Sequence, residues 1–172
     1  MLRIAINGFG RIGRLTYRAI HELGCDDIEV VAINNSGPIE THAHLLRYDS
    51  IHGNFPGTVK TTKKGIDIGR GVVPFYAERN PANLPWKKLN IDLVVECTGL
   101  FLTEALAMQH IAAGAKRVLL SAPAKSEGIK MIVLGINDHS LDGTELLLSN
   151  ASCTTNAAAP LIKVLHDLYH IE

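Results

Sequence analysis

Leu2-Arg3-Ile4-Ala5-Ile6-Asn7-Gly8-Phe9-Gly10-Arg11-Ile12-Gly13 decides how the rest of the chain is read. Leu2 to Ile6 is a short apolar, β-branched run, the composition of a strand buried on both faces. Beyond the glycines, Ile12, Leu15, Thr16, Ala19, Ile20 and Leu23 recur at three- and four-residue steps, the period of a helix with one buried side. Gly8, Gly10 and Gly13 therefore fall at a strand-to-helix turn with G-x-G-x-x-G spacing. In such a turn the first glycine permits the tight bend and the second lets a pyrophosphate approach the backbone. The third lets helix pack close to strand. Phosphates then meet the free N–H groups of the helix N-terminus. The spacing predicts a dinucleotide site. The competing reading is a glycine turn needed only for packing.

The α/β alternation continues outward from this unit. Ile28 to Ile33 reads as a second strand, ending in Asn34-Asn35-Ser36-Gly37-Pro38. A dinucleotide fold usually carries an acid here, which binds the adenosine ribose 2′-hydroxyl. Asn35 stands in its place, 22 residues past Gly13. An amide can bond a hydroxyl but does not repel a 2′-phosphate. Two unit charges ~4 Å apart at an effective dielectric of ~20 interact by about 4 kcal/mol. Relaxed, NADP-tolerant specificity is the expectation, and simple turn closure is the alternative.

Residues 39–48 read as a helix. Thr58 to Thr62, Ile66 to Ile68 and Val72 to Tyr76 read as a small β-meander inserted in the pattern. Strands follow at Ile91 to Glu96, Arg117 to Ser121, Met131 to Gly135 and Glu145 to Leu148, with a helix over Ala105 to Ala113 closed by Gly114. The fold class expected is α/β: one doubly wound, parallel, Rossmann-type sheet with helices on both faces and the meander as an insertion. Residues 1–172 form one dinucleotide-binding domain in this reading, without repeat or linker.

The 17 basic and 17 acidic residues balance, so charge gives no argument for nucleic acid or an anionic membrane. No apolar run approaches the ~20 residues of a membrane span, and the N-terminus lacks the pattern of a secretory signal. Three cysteines without paired spacing suit a reducing compartment; a cytoplasmic location is expected. His42, His44 and His52 have no cysteine or carboxylate in ligand spacing, so no metal is expected.

The last strand runs into Ser149-Asn150-Ala151-Ser152-Cys153-Thr154-Thr155-Asn156 and then a helix whose Leu161, Ile162, Val164, Leu165 and Leu168 are expected on its buried side. Cys153 thus lies by a helix N-terminus, where a thiolate is stabilised and an oxyanion received. Read alone, a single cysteine more often fills a core. Its place at the carboxyl edge of the sheet, where open α/β sheets bind ligands, turns the reading toward a nucleophile.

Ile4 to Arg14 (IAINGFGRIGR), His44 to Gly53 (HLLRYDSIHG), Glu96 to Gly99 (ECTG), Ser121 to Pro123 (SAP) and Ser149 to Asn156 (SNASCTTN) together resemble the phosphorylating glyceraldehyde-3-phosphate dehydrogenases. The resemblance covers essentially the whole chain. It implies oxidation of glyceraldehyde 3-phosphate to 1,3-bisphosphoglycerate in glycolysis or gluconeogenesis, with NAD or NADP as cofactor and inorganic phosphate as co-substrate. It also implies a homo-tetramer. Cys153 carries the thioester in that scheme, and Ser152 and Thr154 touch the attacking phosphate. Phe9, Gly10, Arg11, Ile12, Asn35, Arg79, Thr98 and Ser121 line the cofactor.

Three departures qualify the resemblance. Asn35 replaces the family's usual acid. Ala157 replaces a second cysteine four residues after the nucleophile. The family's catalytic histidine lies in a strand beyond this helix and is expected after Glu172, along with the substrate domain, because His166 and His170 belong to the helix itself. The segment alone is expected to be inactive. Erythrose 4-phosphate is the alternative substrate, and a non-catalytic nucleotide-binding module is the alternative function.

Overall fold

The computed structural model describes residues 1–171. In chain order the strands are β1 (Leu2–Asn7), β2 (Ile28–Asn34), β3 (Tyr48–Asp49), β4 (Gly53–Asn54), β5 (Lys60–Thr62), β6 (Gly65–Asp67), β7 (Val72–Tyr76), β8 (Leu93–Glu96), β9 (Arg117–Leu120), β10 (Lys130–Met131) and β11 (Leu147–Ser149). The helices are α1 (Arg11–Glu22), α2 (Ile39–Arg47), α3 (Trp86–Leu89), α4 (Glu104–Ala112) and α5 (Cys153–Tyr169).

Nine strands form one sheet in the order β10-β11-β9-β8-β1-β2-β7-β6-β5. Every pair from β10 to β7 is parallel, and only β7–β6 and β6–β5 are antiparallel. The side-chain period of two explains the helices on both faces. On β1, Ala5 enters one core cluster and Ile6 the other; on β2, Ala32 and Ile33 divide the same way. Tyr17 of α1 and Ala43 and Leu46 of α2 pack with Ile6 and Ile33. Trp86 of α3 and Ala107 of α4 pack with Ala5 and Ala32. The expected doubly wound α/β sheet is the fold.

Three sequence expectations are adjusted. The meander is not a separate insertion: β7 pairs parallel with β2 through Ile33–Phe75 and antiparallel with β6, so it extends the main sheet. The strand expected over Met131 to Gly135 shrinks to Lys130–Met131. Past Met131 the chain enters a turn held by Asn137, whose side chain accepts from the Val133 N–H and donates to the Met131 carbonyl. The third correction is the largest. Leu161, Ile162, Val164, Leu165 and Leu168 do not face a core; they are 46–68% exposed. Amphipathic spacing shows that a helix has an apolar side but not that this segment supplies its cover.

Candidate functional site

From β1 the chain steps to β2 and on to β5, β6 and β7, then crosses back to β8, which pairs with β1's other edge, so the strand order reverses at the carboxyl ends of β1 and β8. Ligands of open α/β sheets bind at such a switch point. A cleft of about 480 Å³ opens there, lined by Asn7, Gly8, Gly10, Asn34, Asn35, Ser36, Glu78, Arg79, Cys97, Thr98, Leu100 and Phe101. A larger, more apolar cavity of about 560 Å³ lies by the opposite ends of β2 and β7, among Ile20, Ile28, Val72 and their neighbours. It is remote from both the glycine turn and Cys153.

The glycines divide their work as steric contacts dictate. Gly8 has φ +93°, and a Cβ there would stand 2.6 Å from the Thr98 nitrogen and 2.7 Å from the Cys97 carbonyl carbon. Only glycine lets β1 end this close to the segment leaving β8. A Cβ on Gly13 would stand 2.1 Å from the Gly8 oxygen, so this residue fixes how closely α1 approaches the turn. A Cβ on Gly10 would meet nothing within 4 Å: the space outside the turn is open. Gly10 is also the N-cap of α1, with no side-chain cap and no acid in the first turn. The helix therefore presents unsatisfied N–H groups to the cleft, which fits the pyrophosphate of a dinucleotide.

The other expected cofactor residues fall into three groups. Asn35, Arg79 and Thr98 line the cleft with Gly10. Asn35 also ties the two strand ends together, because its Oδ1 accepts from the Phe9 N–H at 2.8 Å while its Nδ2 reaches the Ser36 carbonyl at 2.6 Å and His42 Nε2 at 2.8 Å. Arg79 is exposed at the rim. Arg11 and Ile12 open α1, and the Arg11 guanidinium pairs with Asp49 at 2.9 Å. Asp49 Oδ1 accepts in addition from the Ile51 and His52 N–H groups, and these bonds hold its carboxyl far below the usual range.

Phe9 and Ser121 lie outside the cleft lining. The Phe9 ring is fully buried against Tyr17, His42 and Phe75, and its N–H and carbonyl are already bonded to Asn35 and Arg14. The ring serves the core, so a lining role for its side chain is not what the structure shows. Ser121 follows the last residue of β9, and its N–H donates to the Glu96 carbonyl at 3.0 Å.

Cys153 is exposed in the first turn of α5. Ser152 is the N-cap: its Oγ accepts from the Thr155 N–H at 2.9 Å and lies 2.8 and 2.7 Å from the Thr154 and Thr155 hydroxyls. Asn156 braces the loop from inside through the Asn150 and Ser152 carbonyls. Ala151 takes a left-handed φ of +54°, a strained conformation for alanine. The Ser149 hydroxyl holds it by accepting from the Ala151 N–H and donating to the Ala122 carbonyl. Because β11, β9, β8 and β1 are parallel, Cys153 and the glycine turn leave the same edge of the sheet. They are three strand spacings apart, about 14 Å at ~4.8 Å each.

A buried polar network lies under the cleft; Asn7 and Glu96 stand within the stretches IAINGFGRIGR and ECTG, but the pattern assigns them no role of their own. Asn7, Asn34, Glu96 and His110 are at most 5% exposed and bond one another, with the Trp86 indole and Thr98 at the ends. The available signal was polar residues closing three apolar strand runs. Cys97 is another residue to which the sequence assigned no role; burial first, and then the Glu96 charge, push its thiol up to about 11 against an opposing bond to Ser121.

Residues 2–104, which carry the whole cleft, match the family model described as the glyceraldehyde 3-phosphate dehydrogenase NAD-binding domain. The chain belongs to this family. It is 56% identical over 99% of its length to a glyceraldehyde-3-phosphate dehydrogenase of Xanthobacter flavus, of which it covers 51%. Against the enzyme of that name from Cereibacter sphaeroides it is 54% identical over 96% of its length and 49% of the relative. Against that of Thermotoga maritima it is 49% identical over 99% and 51%. The chain thus spans about half the length of these relatives. Within this glyceraldehyde-3-phosphate dehydrogenase family match, Cys153 lies beyond the residues of the NAD-binding model.

Proposed function

We propose that residues 1–172 are the dinucleotide-binding, nucleophile-bearing part of a phosphorylating glyceraldehyde-3-phosphate dehydrogenase, acting in the cytoplasm as part of a tetramer. The observation that carries this is the placement of Cys153 at the start of α5 on the sheet edge that also bears the glycine turn. The first-turn N–H groups of α1 receive the pyrophosphate, Asn35 faces the adenosine ribose, and Thr98 and Ser121 flank the nicotinamide end. When bound, NAD(P) supplies the hydride acceptor.

Cys153 attacks the aldehyde carbon to give a hemithioacetal. Loss of hydride and of the hydroxyl proton leaves a thioester. Phosphate, received by the Ser152 and Thr154 hydroxyls, adds to the thioester carbonyl and expels the Cys153 thiolate with the acyl phosphate. The proton acceptor is not His166 or His170. His166 lies 13 residues along α5 from Cys153, about 20 Å away, and His170 lies beyond it. A base positioned elsewhere in the enzyme is worth roughly 10²–10⁴-fold. The exposed apolar side of α5 is the surface against which further residues of the enzyme pack in this reading.

Asn35 brings no negative charge to the ribose and Arg79 stands on the same rim, so NADP is accepted as well as NAD. Intact-mass measurement on the full-length enzyme tests the covalent role. With aldehyde and cofactor but no phosphate, an acyl adduct accumulates on Cys153, and Cys153→Ser carries none. An adduct elsewhere overturns the assignment. Supplying erythrose 4-phosphate in the same assay distinguishes that substrate, and a chain that binds NAD without ever acylating is the non-catalytic module.

A further inference from the structure

The buried network beneath the cleft has a direction that the hydrogen-bond donors impose. It begins at two groups that can only donate. The Glu78 N–H donates to Asn34 Oδ1 at 2.9 Å, so Asn34 Nδ2 must be the atom facing Asn7 Oδ1, 2.6 Å away. That leaves Asn7 Nδ2 to donate to Glu96 Oε2 at 2.5 Å. On the other side, the Trp86 indole N–H donates to His110 Nδ1 at 3.0 Å. Nδ1 must then be the unprotonated nitrogen, which makes His110 the neutral tautomer with its proton on Nε2. Nε2 faces Glu96 Oε2 at 3.0 Å.

Both chains end on the Glu96 carboxyl, which is fully buried. Its other oxygen accepts from the Thr98 N–H at 2.7 Å and from the Thr98 hydroxyl. That hydroxyl in turn accepts from the Leu100 N–H at 3.1 Å, which leaves its own proton for Glu96. All four acceptor positions of Glu96 are therefore met by donors, the environment of an ionised carboxylate. Among the described residues no lysine or arginine pairs with it; its one basic neighbour is the neutral His110. Glu96 thus places a negative charge with no counter-ion at the end of β8, under the Thr98–Cys97 wall of the cleft. A buried charge is screened by solvent far less than a surface one.

We propose that Glu96 is an electrostatic specificity residue for the cofactor's redox state: its buried charge favours the cationic nicotinamide of NAD⁺ over the neutral ring of NADH. The inference rests on the NAD-binding reading of this cleft. The pyrophosphate is common to both forms, so its repulsion by Glu96 cancels in the ratio of their affinities. At an effective dielectric of ~20, a unit charge ~12 Å from the ring shifts that ratio by roughly tenfold. The reduced form is then held more weakly than the oxidised form.

Dissociation constants for NAD⁺ and NADH, measured calorimetrically on the full-length protein and on Glu96→Gln and Glu96→Asp, test this. The native protein is expected to bind NAD⁺ several-fold or more tightly than NADH. Glu96→Gln is expected to shift the ratio toward NADH by about tenfold, and Glu96→Asp, which keeps the charge, to preserve most of the native ratio. A purely structural role weakens both forms together and leaves the ratio alone, and that outcome overturns the proposal. So does a native protein that binds NADH as tightly as NAD⁺, whether or not the variants fold. Failure of the native protein to bind either form would instead overturn the underlying nucleotide-site reading.

Discussion

At the scale of single residues, Asn35 carries the sharpest chemical consequence. Its carbonyl oxygen is engaged by the Phe9 N–H and its amide by Ser36 and His42, so a neutral side chain is held at the position proposed to face the adenosine ribose. Asn35→Asp is expected to raise the preference for NAD over NADP by at least tenfold, read as the ratio of dissociation constants; an unchanged ratio contradicts the role given to this position. Cys97 and Cys153 contrast despite their shared place near the sheet edge. Burial lifts the Cys97 thiol from about 9 to about 11, so it stays protonated in the folded protein while the unfolded chain ionises. Folding stability attributable to Cys97 is whole below about pH 9 and is lost as pH rises toward 11. Brief alkylation of the native protein at pH 8, with peptide mapping of the product, is expected to label exposed Cys153 and spare Cys97. Cys153 was legible in the sequence because its neighbours place it at a strand-to-helix junction. The roles of Glu96 and His110 were not: Glu96 stood only as the start of ECTG and His110 only as a helix residue, and their partners show only when β8, α4 and α3 meet.

At the scale of elements, the glycine turn separates two functions that one motif conceals. A methyl group on Gly10 projects into open space, whereas one on Gly13 collides with the Gly8 carbonyl. Gly10→Ala is therefore expected to leave the thermal midpoint nearly unchanged and weaken NAD binding at least tenfold. Gly13→Ala is expected to lower the midpoint clearly and weaken binding as well, because overpacking of this kind costs about 1–3 kcal/mol. Unfolding monitored by fluorescence of Trp86, the single tryptophan of the chain, with a parallel NAD titration, checks both; equal loss of stability in the two variants contradicts the division. The β1–α1–β2 unit was readable because its periodicities and its glycines agree, and the same holds for α2 and α4. The edges of the sheet were less so. The strand after β9 has only two paired residues, Lys130 and Met131, and there the turn chemistry of Asn137 outweighs an apolar run. Whether β5 to β7 stand apart or join the main sheet depends on the long-range pairing of Phe75 and Tyr76 with Ile33 and Asn34, which local pattern does not encode.

At the scale of the whole molecule, a parallel sheet brings the glycine turn after β1 and the cysteine after β11 to one edge although 140 residues separate Gly13 from Cys153. That convergence comes from strand direction alone, so the alternation of elements already implied it. The exposed apolar side of α5 was not legible in the sequence, since periodicity identifies the face and not what it meets; the relatives, about twice as long, supply the context in which that face is proposed to be covered. The central claim is that one edge unites cofactor and nucleophile in a single oxidation. The most direct measurement is rapid mixing of the full-length, NAD-saturated enzyme with glyceraldehyde 3-phosphate in the absence of phosphate, monitoring the absorbance of reduced cofactor. The account predicts a burst of one reduced cofactor per active site, abolished in Cys153→Ser and restored to continuous turnover by phosphate. A full burst in Cys153→Ser would contradict it.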